Sequence, residues 1–254
     1  MNQKNTCSVI IIAKNEEVRI ASCIEHVQFA SEIIVVDNGS TDKTESIATA
    51  LHATVITKSG KDFSALRTIG AKNATGDWLL YIDADELVTP ELQKEIIEKT
   101  CLPERQVRSG SAAAYFITRE NYYLGYRWPT KDKMIRLIKK SALVSWKGSL
   151  HEHAEIVGSV ETLHASLIHQ THRTLSEMVE KTNEWSEIEA NLRFASGHPI
   201  MVWWRFIRVM LTAFNDSFWR QQGWRAGTVG WIESIYQAFS MFITYAKLWE
   251  KQQR

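Results

Sequence analysis

Cysteine and proline are scarce in this sequence, and neither sign of charge dominates. Its 254 residues include 3 Cys and 4 Pro, and Lys+Arg of 30 against Asp+Glu of 29 gives a formal charge of +1. Three scattered cysteines with no C-x-x-C spacing argue against a disulfide framework and a zinc site, and they favour a reducing compartment. The balanced charge gives no indication of nucleic-acid binding, so we predict that nucleic acid is not a partner.

Long apolar runs are missing as well. The start, MNQKNTCSVIIIAKNEE, has an apolar run of only about six residues followed at once by charges, which is too short for a signal-peptide core. A membrane-spanning helix needs about 20 mostly apolar residues. Arg205 and Arg208 interrupt residues 201–214, and Glu233 interrupts residues 226–246. We therefore predict a cytoplasmic protein without a spanning helix.

Short β-branched runs alternate with helical spacing in the N-terminal part of the chain. The predicted strands, each buried on both faces, are SVIIIA (8–13), EIIVVD (32–37), ATVIT (53–57) and DWLLYID (77–83). The predicted helices cover residues 16–29, 42–51 and 62–74. This alternation predicts an α/β fold with a parallel sheet and helices on both faces.

The rest of the chain has two further patterns. After a polar loop at residues 101–112, aromatic and alternating stretches up to about residue 172 predict an antiparallel extension of the sheet. From Leu175 to the end the pattern is helical, with no internal repeat or low-complexity linker.

Acidic side chains follow three of the predicted strands. Glu16 follows the first strand, Asp37 the second, and Asp83 and Asp85 the fourth. Ligands of open parallel sheets bind at the carboxyl ends of the strands. If the fourth strand continues through Asp85, both aspartates share one face, and the small Ala84 does not obstruct a ligand. Paired carboxylates suit Mg²⁺ or Mn²⁺ with a diphosphate. The alternatives are a solvated turn and, at Asp37, a capping turn.

Three segments in this order and spacing resemble the family 2 glycosyltransferases of the GT-A fold. They are SVIIIAKNEE, IIVVDNGSTDKT and RTIGAKNATGDWLLYIDADE, and the resemblance covers roughly residues 7–100. It implies a Rossmann-like GT-A domain, with a mostly parallel sheet, that binds a nucleotide sugar. We predict this catalytic domain at residues 1–173, with a nucleotide-sugar-binding half at 1–100 and an acceptor and catalytic half at 101–173.

The resemblance also implies roles for individual residues. Asp37 would hold the uracil or ribose, and Asp83 and Asp85 the ribose and metal. The implied nucleotide-sugar ligands are Ala13, Asn15, Glu16, Asp37, Arg67, Asp83, Ala84, Asp85 and Arg136. The implied ligands of Mg²⁺ or Mn²⁺ are Asp85, Asp83 and His169. The family's usual Asn after Arg67 is replaced here by Thr68.

Family 2 implies inversion at the anomeric carbon, so the attacking acceptor hydroxyl needs one general base. The segment SWKGSLHEHAEIVG resembles the G-x-x-H-E segment of family 2 enzymes that glucosylate the bacterial lipopolysaccharide core, which makes Glu152 the candidate base. The alternative is that Glu152 is only a salt-bridge partner in a loop. The reserve bases are Glu120, Asp132 and Glu155, and Arg136 and Arg173 are candidates to assist the departing diphosphate.

The C-terminal segment combines aromatic and basic residues. Residues 199–254 hold six of the 10 Trp, with seven Lys or Arg against three Asp or Glu. This composition is typical of amphipathic helices lying in the plane of an anionic membrane surface, so we predict a membrane-associating helical region at 174–254. The alternative is that these aromatic residues pack against the sheet or form a homodimer.

Together these expectations describe a metal-dependent inverting hexosyltransferase, peripheral on the cytoplasmic face of a bacterial inner membrane. It would move a hexose, glucose from UDP-glucose, to a lipid-linked saccharide such as the lipopolysaccharide inner core. One alternative is a sugar nucleotidyltransferase, although that chemistry usually wants a Gly-rich loop where AKNEE has no glycine. The other is a non-catalytic membrane-surface protein that binds nucleotide sugars.

Overall fold

The computed structural model describes residues 6–60, 62–100, 112–148 and 152–254. The chain divides into two compact units. The first consists of Met1–Glu120 and Asp132–His169, and the second of Asn121–Lys131 and Gln170–Arg254. The domain boundary expected at residue 173 stays a prediction.

Strands and helices alternate in the first unit, as predicted. The elements are β1 (Cys7–Ala13), α1 (Ile20–Glu25), β2 (Glu32–Asp37), α2 (Thr44–Ala50), β3 (Thr54–Thr57), α3 (Phe63–Asn73), β4 (Trp78–Asp83), β5 (Glu86–Val88) and α4 (Pro90–Thr100). The helix expected at residues 16–29 is shorter, because the first part of that segment forms turns before α1 begins. The sequence pattern also missed β5.

An eight-stranded sheet joins these strands to a later set. The later strands are β6 (Ala114–Tyr123), β7 (Tyr126–Lys139), β8 (Leu143–Lys147), β9 (His153–Ile156) and β10 (Val160–His172). The sheet order is β3-β2-β1-β4-β7-β6-β10-β5, and β8 and β9 form a separate two-stranded sheet. Pairs β2–β3, β1–β2 and β1–β4 are parallel, whereas β4–β7 and β5–β10 are antiparallel. The predicted antiparallel extension is therefore confirmed.

Both faces of the central strands are covered, which explains their nearly continuous apolar sequences. Along β1, Val9 and Ile11 belong to one core cluster, and Ile10 and Ile12 to another. Helices α1 and α4 contribute to the first cluster and α3 to the second. The expectation of burial on both faces is wrong for β3, which is partly exposed because it lies at the edge of the sheet.

The second unit is mainly helical. Its helices are α5 (Leu175–Ala195), α6 (Trp203–Asn215) and α7 (Gly227–Gln252), and both α5 and α6 pack against α7. Helix α5 begins where predicted, because the hydroxyl of Thr174 accepts a hydrogen bond of 3.2 Å from the backbone N–H of Glu177. In the described part of the chain, no helix has the length and hydropathy of a membrane span.

Helices α6 and α7 each expose a stripe of large apolar side chains. On α6 the stripe contains Trp203, which is 75% exposed, together with Ile207 and Leu211. The spacing of four residues places these side chains on one face of the helix. On α7 the stripe consists of Trp231, Ile235, Phe239 and Phe242. We call these two stripes together the outer apolar face.

Candidate functional site

The carboxyl ends of three parallel strands lie side by side, as predicted. In the register of the sheet, Ala13 of β1 lies opposite Asp37 of β2, and Ile12 lies opposite Asp83 of β4. The turns after β1, β2 and β4 therefore form one edge of the first unit, and this edge holds most of the predicted site.

Hydrogen bonds tie the turn after β1 to the turn after β2. Asn15 has a φ of 55°, a conformation that asparagine adopts more readily than most residues. Its Oδ1 accepts a hydrogen bond of 2.8 Å from the backbone N–H of Thr41. Its own N–H donates to the hydroxyl of Ser40, and the N–H of Glu16 donates to the hydroxyl of Thr44. These bonds fix the shape of the edge beside Asp37.

Asp37 is buried and makes the contacts of a capping turn. Its Oδ2 accepts hydrogen bonds from the backbone N–H groups of Gly39 (3.1 Å) and Ser40 (2.9 Å), and its Oδ1 accepts from the Ser40 hydroxyl. Asp37 therefore forms the capping turn that was the alternative to a ligand-binding role. The role of Asp37 toward uracil or ribose stays a prediction.

Asp83 is paired with two arginines. Arg136 Nη2 lies 2.5 Å from Asp83 Oδ2, and Arg67 Nη2 lies 3.1 Å from Oδ1. Burial raises the pKa of the Asp83 carboxyl, but the charges of Arg136 and Arg67 outweigh burial and hold that pKa well below its usual range. Strand β4 ends at Asp83, and Ala84 and Asp85 form a turn. The strand does not continue through Asp85, so the condition for a shared strand face of Asp83 and Asp85 is not met.

Asp85 lies near a histidine and an arginine instead. The Nε2 atom of His169 is 3.5 Å from Asp85 Oδ1, and Arg19 Nη1 is 3.9 Å from Oδ2. Arg19 also pairs with Glu16 at 3.1 Å, which connects the turn after β1 to Asp85. Sequence reasoning did not assign a role to Arg19.

The donor set at Asp85 fits a divalent cation that shares its coordination with a nucleotide. Across the described ranges, no three His, Cys, Asp or Glu side chains are grouped as a metal cluster. Mg²⁺ and Mn²⁺ at nucleotide sites commonly use one or two protein ligands, and water and phosphate oxygens complete the shell. The carboxylate of Asp85 and the imidazole of His169 are close enough to supply such a pair.

Glu86 is a central residue of this edge that the sequence analysis left without a role. It is fully buried, and its Oε1 accepts from Arg136 Nη2 at 2.7 Å and from Arg119 Nη1 at 3.1 Å. Its Oε2 accepts from the backbone N–H of Asp83. Burial lowers the pKa of Arg136, but Asp83 and Glu86 more than compensate and raise it. Glu86 therefore holds Arg136 in place beside Asp83.

Arg119 carries a sequence signal that could have revealed this network. It is two residues from the buried Ile117 and four from the buried Tyr115 on β6, so strand alternation places all three on one face. Its guanidinium also binds both carboxylate oxygens of Asp132, at 3.0 and 2.6 Å. Asp132, a reserve base, is therefore engaged in an ion pair.

Glu152 and Asp83 both form an ion pair with Arg67. Its Oε1 accepts from Arg67 Nε at 2.8 Å, and Arg67 Nη2 lies 2.7 Å from the same oxygen. The guanidinium of Arg67 is buried and lies over the ring of Trp146, 5.1 Å from its centroid. Glu152 thus forms the salt bridge of the alternative interpretation, and its role as a base stays a prediction. His151 of the same segment lies outside the described residues.

The remaining predicted residues are Glu155, Arg173 and Glu120. Glu155 is partly exposed and pairs with Lys147 at 2.6 Å, which lowers the pKa of its carboxyl. Arg173 pairs with Glu177 on the first turn of α5. Glu120 follows Arg119 on β6, so strand alternation places it on the opposite face.

Comparison with known proteins identifies the chain. The family model described as Glycosyl transferase family 2 matches residues 8–152. The uncharacterized glycosyltransferase RT0209 of Rickettsia typhi is 30% identical over 272 residues, covering 96% of this chain and 86% of that protein. The lipopolysaccharide core biosynthesis glycosyltransferase LpsC of Rhizobium meliloti is 26% identical, covering 99% of this chain and 94% of that protein.

A solved structure supports the fold. The crystal structure of S. aureus TarS 1–349 in complex with UDP-GlcNAc aligns with a TM-score of 0.50 and 14% identity, covering 98% of this chain and 91% of that one. The fold class predicted from the sequence is confirmed as GT-A. The predicted enzyme class is confirmed as well, and the chain belongs to glycosyl transferase family 2.

Proposed function

We propose that this chain is an inverting hexosyltransferase that moves glucose from UDP-glucose to a lipid-linked saccharide of the lipopolysaccharide inner core. Family membership favours sugar transfer over nucleotidyl transfer and over a purely binding role. The name of LpsC supports the acceptor class. The observation that carries the proposal is the buried Arg67, which joins the candidate base Glu152 to Asp83 at the end of β4.

The donor would lie along the edge formed by the ends of β1, β2 and β4. Asp37 and the turn at Asn15 would meet the uracil and ribose, together with Ala13, which lies opposite Asp37 in the sheet. Asp85 and His169 would hold Mg²⁺ or Mn²⁺, with Asp83 as a further candidate. Because Arg67 and Arg136 already neutralise the charge of Asp83, its carboxylate is better suited to accept a hydrogen bond from a ribose hydroxyl than to bind the cation. A divalent cation bound there supplies neutralising charge for the diphosphate.

Glu152 would take the proton of the attacking acceptor hydroxyl. As the oxygen bonds to the anomeric carbon, the bond from that carbon to the diphosphate breaks, and the configuration inverts. Both observed contacts of Glu152 fall on Oε1, so we assign Oε2 as the oxygen that accepts the proton. A positioned base of this kind contributes roughly 10²–10⁴-fold in rate.

Arginine side chains would stabilise the departing UDP. Arg67 is buried, and its Nη1 has no hydrogen-bond partner among the residues that the structure describes. A buried donor of this kind usually has an acceptor, and a diphosphate oxygen is a suitable one. Arg136, the other arginine on Asp83, adds positive charge at the same strand end. Fixed cations aimed at developing negative charge lower the barrier to the chemical step.

The outer apolar face supports association with an anionic membrane. Arg205 and Arg208 lie over the Trp204 ring, 5.3 and 5.6 Å from its centroid, on the helix that carries the stripe with Trp203 and Ile207. Amphipathic helices with tryptophan, leucine and arginine bind in the interface of anionic bilayers. This association would keep the enzyme near an acceptor that is anchored in lipid.

The proposed reaction is tested by UDP release from UDP-glucose with Mn²⁺ or Mg²⁺ and extracted lipopolysaccharide. We expect Asp85→Ala and Glu152→Gln to lose at least 100-fold in turnover. Glu152→Gln should still bind UDP, which would show that the donor site remains assembled. Glu155→Gln is the matched control, because Glu155 is a partly exposed glutamate three residues away that pairs with Lys147, and the turnover of this variant should be unchanged. Full turnover in Glu152→Gln would exclude it as the base, and no turnover with any UDP-sugar would contradict the proposal.

Membrane association is tested by sedimentation with phosphatidylcholine vesicles that do or do not contain phosphatidylglycerol. We expect the protein to bind the anionic vesicles, and Ile207→Ser with Leu211→Ser to abolish binding. Leu192→Ser is the control, because Leu192 is 43% exposed on α5 and lies outside the outer apolar face. A stable dimer in solution that buries this face and does not sediment with vesicles would contradict the membrane role.

A further inference from the structure

The second unit contains a cavity of about 710 Å³ that the proposed reaction does not use. Its floor includes the buried side chains of Trp128, Ser217, Glu233 and Tyr245. Its rim includes exposed polar side chains such as Thr212. The volume lies in the range typical of sites for small ligands.

The wall of this cavity is unusually rich in groups that recognise hydroxyls. It combines aromatic rings with carboxylates and amides, namely Tyr123, Trp128, Asp216, Glu233, Gln221 and Gln237. Carboxylates accept hydrogen bonds, indoles donate them, and amides do both. A pyranose ring presents an apolar C–H face that packs on an aromatic ring, and hydroxyls around its edge that both donate and accept. The wall also includes Arg208 and the apolar Val209, Ala213 and Met241. Its aromatic rings, carboxylates and amides together suit a saccharide, and the carboxylates of Asp216 and Glu233 would repel a phosphate.

Trp128 offers a fixed donor in this wall. It is only 3% exposed, and its indole Nε1 has no hydrogen-bond partner within the described part of the chain. Its ring packs edge to face against Tyr123, with centroids 4.9 Å apart. It also packs closely against Gly223, where the Cβ atom of any larger residue would lie only 2.8 Å from Trp128 Cη2. Buried indole N–H groups usually have an acceptor. A ligand hydroxyl in the cavity would supply one.

Glu233 offers a fixed acceptor in the same wall. It is 2% exposed on α7, and its Oε1 accepts a hydrogen bond of 2.6 Å from Gln237 Nε2. Glu233 and Gln237 lie one helical turn apart on α7 and both line the cavity, so a ligand there would meet a carboxylate and an amide side by side.

We propose that this cavity is a saccharide-binding site in which Glu233, Gln237 and Trp128 bind the hydroxyls of one or more pyranose rings. This proposal rests on the proposed function in one respect, because the saccharide is taken to be part of the acceptor. Binding here would select the glycan that the enzyme modifies, in addition to any contact made at the transferred hydroxyl.

The site is tested by titrating lipid-free core oligosaccharide, released from lipopolysaccharide by mild acid, into the full-length protein without donor or metal. Isothermal calorimetry gives the Kd, and saturation-transfer NMR shows which sugar protons lie against the protein. We expect Glu233→Gln and Trp128→Phe each to raise the Kd at least 10-fold, because the first replaces an acceptor oxygen of the buried carboxylate by a donor amide and the second removes the buried indole N–H donor. Glu250→Gln changes an exposed glutamate on the same helix and should leave the Kd unchanged.

Separate outcomes apply to this site and to the proposed reaction. UDP affinity, measured on the same variants, should be unchanged, which shows that they are folded. If the oligosaccharide does not bind the natural protein, or if both cavity variants bind it as well as the natural protein does, the saccharide site is wrong. If it binds as expected but no UDP-sugar turns over, the proposed reaction fails and the saccharide site stands.

Discussion

Replacing Arg136 by methionine should destabilise the first unit strongly. Arg136 is fully buried, and its Nη2 lies 2.5 Å from Asp83 Oδ2 and 2.7 Å from Glu86 Oε1. Methionine fills part of the space without charge. It leaves Glu86, which is 0% exposed, with Arg119 as its remaining cation among the contacts described above.

The size of this effect follows from the burial of the pair. Removing one partner of a buried ion pair costs about 3–5 kcal/mol, mostly because the other charge loses its compensation. For a chain of this length, about 1 kcal/mol shifts the midpoint of thermal unfolding by about 2–4 °C. Arg136→Met should therefore lower the Tm by about 6–20 °C. An exposed pair such as Arg254–Glu250 contributes at most about 1 kcal/mol, so Arg254→Met is the matched control.

The measurements are thermal unfolding, which gives the Tm, and urea unfolding, which gives the free energy, both followed by circular dichroism and tryptophan fluorescence at pH 7. The double variant Arg136→Met with Glu86→Gln should be more stable than Arg136→Met alone, because it removes the uncompensated charge. A loss below about 1 kcal/mol for Arg136→Met would refute the reasoning, since it would mean that the buried pair is not coupled to folding. A double variant no more stable than the single one would refute the assignment of Glu86 as the stranded charge.

The same experiment has a defined pH dependence. The folded-state pKa of Asp83 is held below its usual range by Arg136 and Arg67 against the effect of burial. A lowered folded-state pKa contributes stability that is complete above the unfolded value of about 3.9 and is lost as the pH falls below it. In Arg136→Met the folded-state pKa rises toward that value. The stability difference from the natural protein should be full at pH 7 and shrink below about pH 4.

Three further predictions concern packing and burial. Gly70→Ala should cost about 1–3 kcal/mol in urea unfolding, because the added Cβ would clash with Ile10 Cγ2. Cys23 should react with iodoacetamide at pH 8 only as fast as the first unit unfolds, as followed by peptide mass spectrometry, because burial and nearby carboxylates raise its thiol pKa. Tyr236→Phe should cost about 1 kcal/mol in thermal unfolding, because the hydroxyl donates to the backbone carbonyl of Met178.

The sequence was most informative where local pattern and global burial agree. Strands β1, β2 and β4 are covered on both faces, so nearly all of their residues are apolar and the runs stand out. Strand β5 has only three residues, Glu86–Val88, too few to show a period. Its existence depends on pairing with β10, which is about 80 residues away in the chain and leaves no local trace.

The same division applies to the site. The position of Asp37, Asp83 and Asp85 at one edge of the sheet could be predicted from the sequence, because the carboxyl ends of parallel strands meet at the same edge. The partners of Asp83 could not be found this way. Arg136 reaches it because β7 lies next to β4, and Glu86 joins them because the chain turns immediately after Asp83. The first condition is set by the order of strands in the sheet, and the second by a local turn that the sequence pattern did not reveal.

The position of the Arg67 guanidinium depends on how closely α3 packs against β1. On α3 the buried residues are Leu66, Arg67 and Gly70, so Arg67 and Gly70 lie on the same face of the helix, one turn apart. Gly70 lets the helix approach β1 closely, and this approach brings Arg67 within reach of Asp83 and Glu152. A larger residue at position 70 would push the helix outward and lengthen those contacts. Gly70→Ala should therefore lower turnover as well as stability, although glycine supplies no chemical group to the site.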